Sequence, residues 1–340
     1  MGGCRVVGVL RGDGWWTAWR WFPQIAWRVG FPQSEPGSIR GMRFSYGLSH
    51  MNMVIPSTGG AGITGVVSRK ALLEVCSPFQ IRNYAKKNRW EYLDGWYATE
   101  DAPPEVRQSY RNKMRPTCIS ACKLWGLWTP PFSRVHAYKP RYAFNGQQVK
   151  TDFAPAILPH RPWLDSWPDR GPIASPARAL AHAGRCLEAS EVAILLESAL
   201  NTGLLGRGDI DEIIEGYPVN LRRSLRRVDG LSQSGSETKV KFGLQARGVK
   251  FRQQVFIDGV GYVDILVEKS LVIECDSYEF HDDVAQYATD RARDLRLHRL
   301  GYTVIRLTWW QIHRDWERTL AALVAVISTG AHHRLPIGGD

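Results

Sequence analysis

Three acids stand close together near the C-terminal end of the chain: Asp264 in YVDILV, and Glu274 and Asp276 in LVIECD. Both segments are apolar, and a carboxylate inside an apolar strand loses hydration that only a partner can replace. Side chains two apart on a strand share a face, so Glu274 and Asp276 point the same way. Nine residues separate Asp264 from Glu274, with Glu268-Lys269-Ser270 as a tight loop between them. If that loop is three residues long, Val267 pairs with Leu271 and Asp264 falls opposite Glu274, with Cβ atoms within about 5.5 Å. A slip of one residue would send Asp264 to the other face. Acids so crowded need shifted pKa values or a cation, and hard oxygen ligands on a rigid sheet suit Mg²⁺ or Mn²⁺. Such an ion can bind a scissile phosphate and activate water. The expected shell is the side chains of Asp264 and Glu274 with the backbone carbonyl of Cys275. Asp276 and His281 stand where they could position a nucleophile or protonate a leaving oxygen, and Glu237 could approach from a preceding helix. The plainer alternatives are a salt-bridged Asp264, a Glu237 that only serves its helix N-terminus, and a surface His281 beside Asp282 and Asp283.

The elements that must position these groups are legible in the last 110 residues. Ser236 caps a helix that holds Glu237 in its first turn and ends near Gly248. FRQQVFI, the turn Asp258-Gly259, YVDILV, the loop at 268–270 and LVIECD read as three successive strands. A helix from about Asp283 to Leu300 stops at Gly301, YTVIRLT is a fourth strand, and a helix from about Trp310 to Ile327 closes the chain. The order is αβββαβα, a small α/β domain.

Glu237, Asp264, the ECD of Glu274 to Asp276, and His281 followed by DRARD resemble the PD-(D/E)XK nuclease superfamily. Within it the residues are most similar to the branch of DUF559 and very-short-patch-repair-like endonuclease domains. GYTVIRLTWWQI resembles that family's fourth strand and the start of its closing helix, so the likeness spans residues 235–327. It implies a metal-dependent endodeoxyribonuclease, with Asp264 and Glu274 at the metal. Many superfamily members carry Lys two residues after the second acid; here that position is Asp276, which cannot hold a phosphate as Lys would.

The formal charge of +11 is unevenly placed. From Leu231 onward there are 14 Lys plus Arg and 14 Asp plus Glu, so 30 of the 44 basic and 19 of the 33 acidic residues lie in 1–230, with all the net charge. A polyanion-binding surface is expected there. SRKALLEVC reads as a helix capped by Ser68, and Ser77-Pro78 opens a second one. In that helix Phe79, Ile81, Tyr84 and Ala85 are expected toward a core, leaving Arg82, Lys86, Lys87 and Arg89 for solvent or phosphate. WEYLDGWYA then reads as a hairpin around Asp94-Gly95. Helix, turn, basic helix and hairpin form the layout of a winged helix-turn-helix, whose second helix enters the major groove of DNA. The alternative is a small helical subdomain with a solvated basic face. Arg291 and Arg293 are further candidate phosphate contacts. The region from about Gly65 to Leu205, with SACKLWGL and SPARAL, resembles the AbiEi-type antitoxin and regulator proteins. That likeness implies a second reading, a DNA-binding regulator that keeps the nuclease fold as a scaffold.

The expected architecture is thus α/β (α+β): a poorly ordered or mis-started extension at 1–58, a winged helix at 59–103, a mixed middle domain at 104–230, a restriction-endonuclease-like domain at 231–330 and a tail at 331–340. Six scattered cysteines without a CxxC pair exclude a disulfide scaffold. Cys118 and Cys122 read as small core residues without zinc partners nearby, and His182 as a packed or surface histidine. The expected partners are DNA and, as an open alternative, a second copy in a homodimer. No membrane span is expected, because no run of about 18 apolar residues is free of charge, and the expected location is cytoplasmic.

Overall fold

In the computed structural model the described residues are 64–139, 156–160, 171–275 and 284–333, all within the compact unit Ser57–Asp340. They mix helix and sheet. Strand β1 (Val66–Ser68) runs into α1 (Arg69–Val75), where the Ser68 hydroxyl accepts from the Lys70 N–H. Ser77 opens α2 (Pro78–Lys87) with a capping box, since its hydroxyl accepts from Gln80 N while Gln80 Oε1 accepts from Ser77 N at 2.9 Å. Proline follows the cap at no cost because the first turn needs no N–H. Helix α2 buries Ile81 and Ala85, leaving Arg82, Lys86 and Lys87 exposed, with exposed Arg89 just beyond its end. Phe79, expected inside, is 65% exposed; it lies about 200° around the helix from Ile81, off the buried stripe.

The hairpin of β2 (Glu91–Leu93) and β3 (Trp96–Ala98) turns at Asp94 and Gly95, whose φ values of 46° and 88° match the strand twist in a two-residue turn. Strand β3 also pairs with β1, so the sheet order is β1-β3-β2. Next come α3 (Pro104–Arg111), β4 (Arg115–Pro116), α4 (Cys118–Leu124), β5 (Val135–Tyr138) and β6 (Ile157–His160). The three strands form a second small sheet, β4-β5-β6, antiparallel then parallel. Four helices follow: α5 (Pro176–Ala183), α6 (Ala189–Asn201), α7 (Arg207–Glu215) and α8 (Val219–Leu225). With α4 they enclose the largest core, around Ile119, Leu180, Leu195, Leu196 and Ile210.

Helix α9 (Gly235–Ala246) starts at Ser234, whose hydroxyl accepts from Glu237 N at 3.1 Å. Ser236, the expected cap, sits inside the first turn, its hydroxyl 3.2 Å from His313 Nε2. Then come β7 (Phe251–Ile257), β8 (Gly261–Val267), β9 (Leu271–Cys275), α10 (Val284–Arg299) and β10 (Thr303–Leu307). The single closing helix expected from Trp310 is two, α11 (Trp309–His313) and α12 (Trp316–Ser328), because the backbone leaves helical geometry at Asp315 (φ −127°, ψ 38°). Sheet order is β10-β9-β8-β7, parallel between β9 and β10 and antiparallel elsewhere. Val267 pairs with Leu271 and Ile265 with Ile273, the register that a three-residue loop dictates.

Both faces of this sheet are covered. Val240 and Leu244 of α9, with Ile312 and Leu323, pack on Ile265, Val267, Leu271 and Ile273. Leu297 of α10 packs with Val263, Leu266 and Val272 on the other face. Strands enclosed from two sides read as continuous apolar runs. Every residue of β9 is accordingly buried, Glu274 included.

Candidate active site

The β8–β9 ladder ends at Ile265↔Ile273. One step further, where Asp264 and Glu274 face each other, the Asp264 side chain replaces the backbone: its Oδ2 accepts the Cys275 N–H at 2.8 Å. The Asp264 carboxylate lies close enough to Glu274 to raise its pKa, as two neighbouring acids do. Glu274 is 5% exposed and Glu237 4%.

A distortion in β7 joins the third acid. Strand pairs Gln253↔Ile265 and Val255↔Val263 flank Gln254, which is itself unpaired and has φ of 49°. A non-glycine residue keeps that left-handed backbone only where its surroundings fix it. The Gln254 amide thereby reaches two acids, donating from Nε2 to Glu237 Oε2 at 3.0 Å and lying 3.5 Å from Asp264 Oδ1. Glu237 Oε2 also accepts from Gln233 N at 2.9 Å. Nothing in the sequence marks Gln254, because a strained backbone leaves no pattern; the only trace is a polar pair inside FRQQVFI.

Electrostatics follow from this crowding. Burial, and then the Asp264 charge, hold the Glu237 carboxyl up at about 7 against the hydrogen bonds from Gln233, Ser234 and Gln254. Burial and Asp264 likewise hold Glu274 up at about 7, with Arg293 and Arg306 pulling the other way. Arg293 Nη1 stands 3.0 Å from Glu274 Oε1, but its N–H is not aimed at that oxygen, so Oε1 is buried without a hydrogen bond. The Arg293 guanidinium also donates to the Tyr262 carbonyl. Arg306 stands beside Glu274 in the β9–β10 register and is held by Asp294, Nη2 to Oδ1, at 2.7 Å. That contact keeps the Asp294 carboxyl below its ordinary range.

The structure therefore brings Asp264, Glu274 and Glu237 together and adds Gln254 and Arg293 to them. Arg293, expected at phosphate, is turned to Glu274. Exposed Arg291 lies 3.5 Å from Asp294. Asp276 and His281 lie outside the described residues. Two buried carboxylates side by side, with only the Arg293 guanidinium against Glu274, are a fitting donor set for a hard divalent cation, which would neutralise both.

Against this geometry, a restriction-endonuclease-like family model, REase_MTES_1575, matches residues 237–327, a span that begins at Glu237 and includes Asp264 and Glu274. Residues 237–327 are thus similar to a restriction-endonuclease-like domain. Domains of this kind typically use divalent metals. No curated protein matches the chain. Among the described residues no helix is long and apolar enough to cross a membrane.

Proposed function

We propose that the chain is a DNA-binding, metal-dependent endonuclease. The observation that carries this reading is the convergence of Glu237, Asp264 and Glu274 at one buried sheet end, with Glu274 Oε1 lacking a hydrogen bond. Asp264 and Glu274, with the Cys275 carbonyl, are the residues to hold Mg²⁺ or Mn²⁺. When bound there, the ion supplies positive charge against the scissile phosphate and acidifies water.

The remaining steps belong to the chain's own groups. Glu237, raised to about 7, is poised to accept a proton from water near neutrality, which is where a general base works best. Gln254 fixes the orientation of that carboxylate. Arg293 balances the Glu274 charge. Asp276 and His281 are assigned to positioning the attacking water and protonating the leaving oxygen. The likeness to the DUF559 and very-short-patch-repair branch belongs to the same proposal.

DNA affinity is assigned to the N-terminal elements. The β1-α1-α2-β2-β3 order, with the hairpin closing the sheet as β1-β3-β2, supports a winged helix-turn-helix. Helix α2 presents Arg82, Lys86 and Lys87 on its exposed face, with Arg89 following. Basic groups gathered on one element suit phosphate contacts. With Mg²⁺ or Mn²⁺ the chain should nick or cleave duplex DNA, and Asp264→Ala or Glu274→Ala should abolish it. Intact cleavage in both variants would remove the site from consideration. A mobility shift on its own promoter, without cleavage under any divalent metal, would favour instead the non-catalytic AbiEi-type regulator.

A further inference from the structure

Cys118, His136, His160 and Cys186 are far apart in sequence and belong to four different places in the fold. Cys118 begins α4, His136 lies on β5, His160 ends β6, and Cys186 follows α5. Yet one ligand atom from each falls within 4.8 Å of all the others. We propose that these four residues form a structural zinc site, separate from the carboxylate cluster.

The distances are those of a coordination shell. With Zn–S near 2.3 Å and Zn–N near 2.05 Å, a tetrahedron has edges of about 3.3 Å between nitrogens and about 3.5 Å between nitrogen and sulfur. Here His136 Nδ1 lies 3.2 Å from His160 Nε2 and 3.6 Å from Cys186 Sγ. One ring nitrogen makes one in-plane hydrogen bond, so it cannot serve both partners. A cation at the centre serves all four. Two thiolates and two neutral imidazoles select zinc over the hard ions that suit Asp264 and Glu274, and two thiolates cancel its charge in a buried place. Cys118 is fully buried and His136 nearly so. Four protein ligands leave no open position, which marks a structural site.

The surroundings brace the same atoms. Cys118 has φ of 50°, a left-handed backbone that aims its side chain away from the ordinary start of a helix. Thr117 N donates to the His136 carbonyl, and His136 N donates to Ser120 Oγ, both at 2.9 Å. The His160 ring stacks on His182 at 5.5 Å, and His182 Nδ1 is held 2.7 Å from Thr117 Oγ1. Among the described residues, the sheet's own buried cluster is Met114, Ala137 and Ile157. A core that small needs a staple, and metal-binding energy in such a place is folding energy. Cys118 is buried in the core, as its sequence reading expects, and the zinc site adds ligand partners that distant elements bring to it. No local spacing revealed them, because each ligand arrives from a separate element.

The test uses the full chain purified without a histidine tag. Elemental analysis after dialysis should find about one zinc per chain. Cobalt exchanged into the site should give tetrahedral d–d bands with thiolate-to-metal charge transfer. Cys186→Ser and the partly exposed His160→Ala should each lower retained metal at least tenfold, whereas Asp264→Ala should leave it unchanged. The proposal falls if the wild-type chain holds less than about half an equivalent of zinc, or if its cobalt spectrum is octahedral. It falls equally if Cys118 and Cys186 are joined in a disulfide, or if the ligand variants keep their zinc.

Discussion

Glu237 and Glu274 each keep a proton to about pH 7 for the same reasons, the loss of water on burial and the Asp264 charge beside them. Their folded-state values lie above the ordinary value of 4.5, so between about 4.5 and 7 the folded chain binds more protons than the unfolded one. Stability should therefore fall as pH rises through that window, by up to about 3 kcal/mol for Glu237 alone. Thermal melts in EDTA should show the fall, Glu237→Gln should flatten it, and Mn²⁺ should raise the melting temperature more at about pH 7.5 than at about pH 5. Asp264→Asn should separate stability from chemistry. Removing the central charge should raise the EDTA melting temperature while cutting metal-dependent cleavage at least about 100-fold. Lower stability in Asp264→Asn would mean that its bond to Cys275 N outweighs the repulsion. At this scale residue type made the acids readable, since a carboxylate set inside an apolar strand is too costly to keep without a compensating partner. Arg293 was not readable: an arginine in DRARD suits phosphate as well as it suits Glu274, and only the path of α10 decides.

Elements set where those side chains can go. Helix α9 delivers Glu237, and its closeness to α12 depends on Gly243. A Cβ added there would stand 2.4 Å from Trp316 Cζ2 and 3.2 Å from Leu320 Cδ2. Gly243→Ala should destabilise by about 1–3 kcal/mol, outweighing a helix-propensity gain of about 1 kcal/mol. It should also lower the cleavage rate by displacing Glu237. Urea unfolding and single-turnover cleavage measure the two effects, and unchanged values in both would show that Trp316 simply moves aside. The β8–β9 register was legible because a three-residue loop between Val267 and Leu271 dictates which residues pair. The start of α9 was not, because Ser232, Ser234 and Ser236 are all chemically able to cap. The break between α11 and α12 carries neither proline nor glycine, the residues that usually announce one.

Across the whole molecule, the sheet that carries the acids is not separate from the helices before it. Lys241 of α9 is almost fully buried, with Nζ 2.7 Å from Glu197 Oε1 of α6 and bonded to Asp229. Glu197 also accepts from Asp229 N at 3.1 Å and Gly230 N at 2.7 Å. Removing one member of a buried pair leaves an uncompensated charge, so Lys241→Met should cost about 3–5 kcal/mol in urea unfolding. Lys241→Met with Glu197→Gln should recover much of that loss. An unchanged single variant would mean that water reaches Glu197. In the sequence this junction reads as a Ser/Gly-rich linker after a basic stretch, because composition reports flexibility and not the ion pair buried beneath it. The +11 charge was located in 1–230 by counting alone, and the exposed basic side of α2 was legible from the spacing of Ile81 and Ala85.

Recombination that moved the acid-bearing sheet to a new host protein would carry Lys241 with it, an ammonium group with nowhere dry to rest. Only a recipient already offering a carboxylate at that spot would accept the graft, so α6 and the sheet are expected to travel together through descent.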